Sequence, residues 1–244
     1  MPQDILTRRN GAVLEITFNR PDDGNAATDE MAAELTRLLN EAGQSSNLVL
    51  LRGAGKDFCI GRASMGRPRP AGPLEALERR RSTEVIFDCY TAFRRSPVPI
   101  VGVVQGRALG FGCALAGLCD ITLASDAAAF QIPEMTHNIM PTMVMSALVD
   151  RVPRKALTYL VWSSALISAS RALQAGIASD VVPAAKLEEE LDRLTTALLR
   201  APRPALLAVK EYARTAPGMD LQGAVDFARN LHATVNSSSE MRRK

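Results

Sequence analysis

Gln105–Asp120, QGRALGFGCALAGLCD, sets a glycine turn ahead of a run of small apolar residues. Twenty residues after Ala114, the stretch Phe130–Met135, FQIPEM, brings in a carboxylate as Glu134. Gly110-Phe111-Gly112 lets backbone N–H groups face outward at a helix start with no Cβ in the way. The helix N-terminus adds partial positive charge there. The amide of Phe111 is therefore suited to a developing oxyanion. A second donor is expected from another tight turn, Asp57-Phe58-Cys59-Ile60-Gly61-Arg62, which follows a strand. Two such amides aimed at one oxygen form an oxyanion hole, and losing one donor typically costs ~10²–10³ in rate.

A strand, a glycine turn and a helix also open a dinucleotide site. Here the sixth position of GxGxxG/A is Leu115, too large for close helix–strand packing. No Gly-Lys-Ser/Thr follows any glycine run, so a P-loop is excluded as well.

Working outward, Leu14, Ile16 and Phe18 alternate as one face of a strand. Arg20–Gly24, RPDDG, ends it as a turn. Met31, Leu35, Leu38, Leu39 and Ala42 recur at helical spacing, with Asp29 and Glu30 in the first turn. Asn47–Arg52, NLVLLR, reads as a buried strand. Gly61–Pro73 is the most loop-like internal segment. The pattern then predicts one long helix over 74–94, a strand at Ile100–Val104, and another at Ile121–Ala124. Helices dominate from Thr142, with a short strand near Ile177–Val182. The last stretch, Pro202–Thr234, is helical with apolar faces at Leu206, Val209, Tyr212, Leu221, Val225, Phe227 and Leu231. This order argues an α/β core, residues 1–200, with a helical region at 201–244. Trp162 is expected in the core or an interface.

The chain of 244 residues is long enough for one sizeable core. Its net charge of +3, from 29 basic and 26 acidic residues, gives no footprint for nucleic acid. Cys59, Cys89, Cys113 and Cys119 lack CxxC spacing, and His137 and His232 alone could join them, so no metal site is expected. Cys59 and Cys113 flank the proposed amides and read as small buried fillers. MPQDILTRRNG lacks a signal-peptide core, and no stretch reaches the ~20 apolar residues of a spanning helix. A soluble cytoplasmic protein with no membrane partner is the expectation.

Five segments together carry a family likeness. Arg20-Pro21 with Asn25-Ala26 resembles an RPxxxNA motif, and Gly53–Gly61, GAGKDFCIG, resembles GxGxxFCAG. Gln105–Asp120 resembles NGxAxGGGxxLAxxCD. Phe130–Glu134 resembles FxxPE, with Pro141 seven residues on, and Ala175–Pro183 resembles AGLVDxVVP. In this order and spacing they resemble the crotonase, or enoyl-CoA hydratase/isomerase, family. The resemblance implies a spiral of ββα units with C-terminal trimerising helices, hence a homotrimer or dimer of trimers. It implies an acyl-CoA thioester polarised by the backbone amides of Arg62 and Phe111. Coenzyme A enters as part of the substrate, with no permanently bound cofactor. The implied substrate-binding residues are Asn25, Ala26, Lys56, Ile60, Gly61, Ala63, Gly110, Ala114, His137, Pro141 and Lys210, the last near the coenzyme end. Arg62, Arg67 and Arg69 either meet coenzyme phosphates or solvate a loop.

The departures are specific. Hydratases of the family are implied to use two glutamates, and the first position here is Ala114, leaving Glu134. Removing one general acid/base typically costs ~10²–10⁴. A 1,3-proton shift needs only one carboxylate, so isomerisation of an enoyl-CoA by Glu134 is the expected reaction. The alternatives are a hydratase of low activity, thioester or C–C hydrolysis with His137 and Glu134 handling water, and a non-catalytic acyl-CoA-binding subunit. The middle glycine of the family's GGG is Phe111, which sets a ring at the mouth. The family's AGAD aspartate is Ala63. Met135, Ile139, Met140 and Thr142–Met145 are expected to make a bulky apolar acyl pocket that raises the Glu134 pKa. The family's tail runs past Ser237–Glu240, where it helps cover the coenzyme.

Overall fold

The computed structural model describes residues 3–63 and 75–242. Arg67 and Arg69 lie outside the described residues. The chain begins with a hairpin, β1 (Ile5–Asn10) and β2 (Val13–Phe18), turning at Gly11 with φ +57°. Helix α1 (Asp29–Glu41) follows, its Thr28 side chain accepting from the Met31 N–H. Then come β3 (Leu48–Gly53), α2 (Ala76–Arg81), α3 (Glu84–Arg95) and β4 (Ile100–Val104). The glycine segment gives β5 (Arg107–Leu109) and α4 (Phe111–Leu118), followed by β6 (Ile121–Ser125) and β7 (Ala129–Gln131). The rest is α5 (Thr142–Leu148), α6 (Arg154–Ser163), β8 (Ile167–Ser168), α7 (Ala169–Gln174), β9 (Asp180–Val182), α8 (Leu187–Arg200), α9 (Arg203–Thr215) and α10 (Leu221–Ser237).

Six strands form the main sheet in the order β1-β2-β3-β4-β6-β9, parallel from β2 onward. The register sets Leu14 beside Val49 and Ile16 beside Leu51. Successive side chains alternate between faces. Leu14, Ile16, Phe18, Val49 and Leu51 therefore enter the larger core with α1, α3 and α4. Val13, Leu48, Leu50, Val101 and Val103 enter a second core under Leu187 and Leu191 of α8. Coverage of both faces explains why NLVLLR is apolar without alternation.

A second sheet, β5-β7-β8, sits at the end of the first. Its strands have two or three residues each, too short to leave a period in the sequence. The hairpin strand β1 also escapes a periodicity reading, because Leu6–Asn10 are all exposed. The expected single helix at 74–94 is broken at Ser82-Thr83, where both side chains hydrogen-bond back to carbonyls of the preceding turn. The expected strand near Ile177–Val182 is confined to Asp180–Val182.

Helix α9 is tied to the core by Lys210, whose Nζ donates to Asp120 Oδ2 at 2.7 Å and to the Phe93 carbonyl at 3.3 Å. Asp120 Oδ2 also accepts from the Ile100 N–H at 2.7 Å, so one carboxylate joins α9, β4 and the end of α4. Helix α10 buries no residue fully, and Val209, Leu221 and Val225 are exposed. Trp162 on α6 is 76 % exposed, so it is no part of this chain's core. Among the described residues, no helix is long and apolar enough to cross a membrane, and no group of His, Cys, Asp and Glu is arranged for a metal.

Candidate active site

The segment after β3 is fixed by close packing and by buried polar groups. An added Cβ on Gly53 would lie 2.4 Å from the Asp57 carbonyl oxygen, so the loop can double back only over glycine. Asn25 is fully buried and in the left-handed region, φ +58°. Its Oδ1 accepts from the Arg20 N–H at 2.9 Å, and its Nδ2 donates to the carbonyls of Ala54 and Asp57 at 2.8 and 2.7 Å. Gln105 Nε2 donates to the carbonyls of Gly53 and Asp57, each at 2.9 Å. Asp57 is buried and paired with Arg107 at 2.7 Å, and that guanidinium holds its carboxyl below the usual carboxylate range. Asn25 is thus a clamp on the loop and lines neither of the cavities described below.

From there the chain threads between two neighbours. The N–H groups of Phe58 and Cys59 donate to the Arg107 carbonyl, and the Leu109 N–H donates to Cys59 at 2.9 Å. On the other edge, the Ala27 N–H donates to Gly61 and the Ala63 N–H to Ala27, each at 2.8 Å. In this parallel bridge Ala27 faces Arg62 but bonds to its neighbours. The N–H of Arg62 itself is therefore turned to the opposite edge, the side of β5 and α4.

Helix α4 begins against that edge. Gly110, the residue before it, has φ +51° and ψ −113°, open to glycine alone. Phe111 is the first helical residue, so its N–H has no intrahelical acceptor. An added Cβ on Gly112 would stand 2.0 Å from the Cys59 carbonyl oxygen, which explains a glycine inside a helix. Ala114, by contrast, is wholly buried in the core and lines neither cavity.

Arg62, Phe111 and Glu134 meet around one cavity of about 100 Å³, completed by Tyr90, Ile139, Met140, Pro141, Met143 and Val144. Glu134 opens the turn after β7 and is 5 % exposed. Its Oε2 has no hydrogen-bond partner among the described residues. Burial pushes its carboxyl above the usual range, opposed only in part by its own backbone N–H. Such a group is a stronger base than an ordinary carboxylate. Phe111 is buried and stacked on Tyr90, with centroids 5.8 Å apart and planes at 24°. The ring expected at the mouth is therefore a wall. Met135 and His137 are exposed and do not line the cavity. His137 closes the short 3-10 helix that Glu134 opens, and its side chain is exposed.

A second, open cleft of about 400 Å³ lies behind the same strand. Ala26, Lys56, Ile60 and Ala63 line it with Asp22 and with two ion pairs, Arg20–Asp23 and Arg107–Asp57. Gly61, φ +120°, lies between Ile60 of this cleft and Arg62 of the acyl-sized cavity. Lys210, expected near the coenzyme end, is 7 % exposed, engaged with Asp120, and lines neither cavity. Cys59 and Cys113 are buried, and burial pushes both thiols up to about 12, so they are inert fillers. Tyr90 is the site residue that sequence reading passes over. An aromatic on the apolar face of α3 looks like any core residue until its neighbours are known.

The profile of the enoyl-CoA hydratase/isomerase family matches residues 8–244. The 2,3-dehydroadipyl-CoA hydratase of Escherichia coli is 28% identical over 97% of this chain and 92% of its own length. An enoyl-CoA hydratase of Mycobacterium smegmatis superposes with a TM-score of 0.90 over 97% of this chain and 92% of that one, at 24% identity, a likeness of fold. A Thermobifida fusca YX protein assigned as an enoyl-CoA hydratase, solved in complex with CoA, has a TM-score of 0.83 and 28% identity over 95% of this chain and 92% of that one.

Proposed function

The chain belongs to the enoyl-CoA hydratase/isomerase family, with the crotonase fold, and we propose that within it the chain moves a double bond along an enoyl-CoA by means of Glu134 alone. The observation that carries this reading is the lining of the cavity: one carboxylate, buried and unpartnered, among apolar side chains. In a 3-enoyl-CoA, Glu134 takes a proton from C2. The C2–H electrons shift toward the thioester oxygen, giving a dienolate. The N–H groups of Arg62 and Phe111 hold the charge on that oxygen. Protonated Glu134 then returns the proton at C4, leaving the double bond between C2 and C3. One group acting twice closes the cycle without a second carboxylate at position 114.

The cleft lined by Ala26, Lys56, Ile60 and Ala63 is where the coenzyme moiety would lie, with Lys56 as the cation for its phosphates. The complex of the Thermobifida protein with CoA supports a coenzyme ligand. The exposed apolar residues of α6, α9 and α10 support assembly as a trimer or dimer of trimers.

Hydration is the second reading, favoured by the hydratase names of relatives. It requires one water activated and one proton delivered, and Glu134 is the single carboxylate of the cavity among the described residues. The test offers 3-enoyl-, 2-enoyl- and saturated acyl-CoA to the purified protein. Conjugation of the 3-enoyl thioester, reduced about 10²–10⁴-fold in Glu134→Gln, is the expected result. Accumulation of 3-hydroxyacyl-CoA as the main product, release of free coenzyme A, or full activity in Glu134→Gln refutes it.

A further inference from the structure

The two proposed oxyanion donors are held in different ways. Arg62 lies in a parallel bridge, and its neighbours Gly61 and Ala63 are each hydrogen-bonded to Ala27 at 2.8 Å. Phe111 instead opens a helix. A peptide unit is a rigid plane between two Cα atoms, so the direction of the Phe111 N–H follows from where the Cα atoms of Gly110 and Phe111 sit. Gly110 has φ +51° and ψ −113°, and it lacks the Cβ that would restrict those angles. Gly112 follows, so Phe111 carries the one side chain of the Gly110-Phe111-Gly112 turn.

That side chain is clamped. Phe111 is buried, and its ring stacks on the buried ring of Tyr90 with centroids 5.8 Å apart and planes at 24°. Tyr90 sits on α3 among Ile86, Cys89 and Phe93, which fix that helix in the larger core. Aromatic pairs have a preferred offset, and their contacts weaken within an ångström of displacement. A shift of the Phe111 Cα therefore costs contact with Tyr90. With a non-aromatic residue at position 90 the same shift meets less resistance, and two glycines let the backbone follow.

We propose that Tyr90 is a positioning residue for the oxyanion hole: its ring, acting through the ring of Phe111, holds the Phe111 N–H on the thioester oxygen. This rests on that oxygen lying between the N–H groups of Arg62 and Phe111, as the proposed function has it. The effect belongs to the transition state more than to substrate affinity, because charge on the oxygen grows as the proton leaves C2.

The test compares Tyr90→Leu, Tyr90→Phe and Phe93→Leu in the full-length protein. The readouts are kcat and KM for a 3-enoyl-CoA, and the infrared carbonyl stretch of bound butyryl-CoA carrying an isotope label at the thioester carbon. Tyr90→Leu is expected to lower kcat by about 10–100-fold with KM within about threefold, and to lose much of the carbonyl shift. Tyr90→Phe keeps the ring and is expected to rescue both. Phe93, wholly buried on the same helix, does not line the cavity, so Phe93→Leu is expected to lower Tm alone. Phe111→Leu breaks the same stack from its other side and serves where Tyr90→Leu does not fold. In the double variant the two losses are expected not to add. Wild-type kcat and carbonyl shift in a folded Tyr90→Leu overturn the proposal. An equal loss in Tyr90→Phe or Phe93→Leu overturns it too, assigning the effect to the hydroxyl or to packing at large. A loss carried by KM alone, or additive losses in the double variant, also overturn it. A wild type that shifts the bound carbonyl without conjugating the 3-enoyl chain refutes the Glu134 reading and leaves the role of Tyr90 standing. A wild type with no carbonyl shift overturns both.

Discussion

Replacing Gly112 with alanine tests the joint between the two proposed oxyanion donors. The new Cβ would stand 2.0 Å from the Cys59 carbonyl oxygen, 2.8 Å from its carbon and 2.9 Å from its Cβ. Two of these three atoms are backbone, so no rotamer change relieves the clash. Ordinary contact requires the start of α4 and the strand carrying Arg62 to part by roughly 1.5 Å. The N–H of Phe111 moves with the helix, and the N–H of Arg62 stays with the strand. A misplacement of about 1 Å can cost ~10² in rate, and losing one oxyanion donor costs ~10²–10³. Overpacking of this kind also costs about 1–3 kcal/mol of stability. At about 2–4 °C per kcal/mol for a chain of this size, Tm should fall by roughly 2–12 °C. The assay is kcat for conjugation of a 3-enoyl-CoA, with a thermal melt on the same sample. The control is Gly218→Ala, where an added Cβ meets nothing within 4 Å and neither quantity should change. Wild-type rate and Tm in Gly112→Ala would refute the reasoning from the glycine outward.

Glu134 gives a prediction with a defined sign. Burial raises its folded pKa above the unfolded value, so its contribution to stability is fully present below the ordinary glutamate range and is lost as pH rises through the raised value. Glu134→Gln should therefore melt higher than the wild type near pH ~7, with the difference shrinking toward pH ~4. An equal or lower Tm for the variant near neutrality contradicts the burial argument. Lys210→Met should destabilise by about 3–5 kcal/mol in denaturant titration, because it leaves the Asp120 carboxylate facing the core without its cation. Adding Asp120→Asn, which keeps an acceptor for the Ile100 N–H, should recover part of that loss. No recovery would mean that the methylene stem of Lys210, and not its charge, holds α9.

The glycines and Glu134 were legible because their constraints are local. Gly110 requires a conformation that few residues adopt, and Gly112 leaves no room for a side chain. Arg62 was legible through the turn it ends. What sequence reading could not separate was a motif residue that touches ligand from one that holds the frame. Asn25 and Lys210 sit in family-like segments, yet their polar atoms are spent on backbone carbonyls and on Asp120. His137 illustrates the reverse problem. It lies three residues from Glu134 along the chain, yet it is exposed and does not line the cavity. Tyr90 depends on packing between α3 and α4, a relation between segments some twenty residues apart that no period records. The same holds for β5, β7 and β8, which exist through pairing with one another and not through any run of their own.

The segment Ile60–Ala63 is a party wall one residue thick. Ile60 and Ala63 line the open cleft, and Arg62 lines the cavity of Glu134. Chemistry on the two sides can therefore diverge independently. If the acyl group and the coenzyme lie as proposed, substitutions at Tyr90, Met140, Met143 or Val144 retune which acyl groups fit while the cleft stays as it is, and changes at Ala26 or Lys56 alter the grip on the coenzyme without moving Glu134. A lineage built on this wall can explore new acyl groups while the common handle remains recognised throughout.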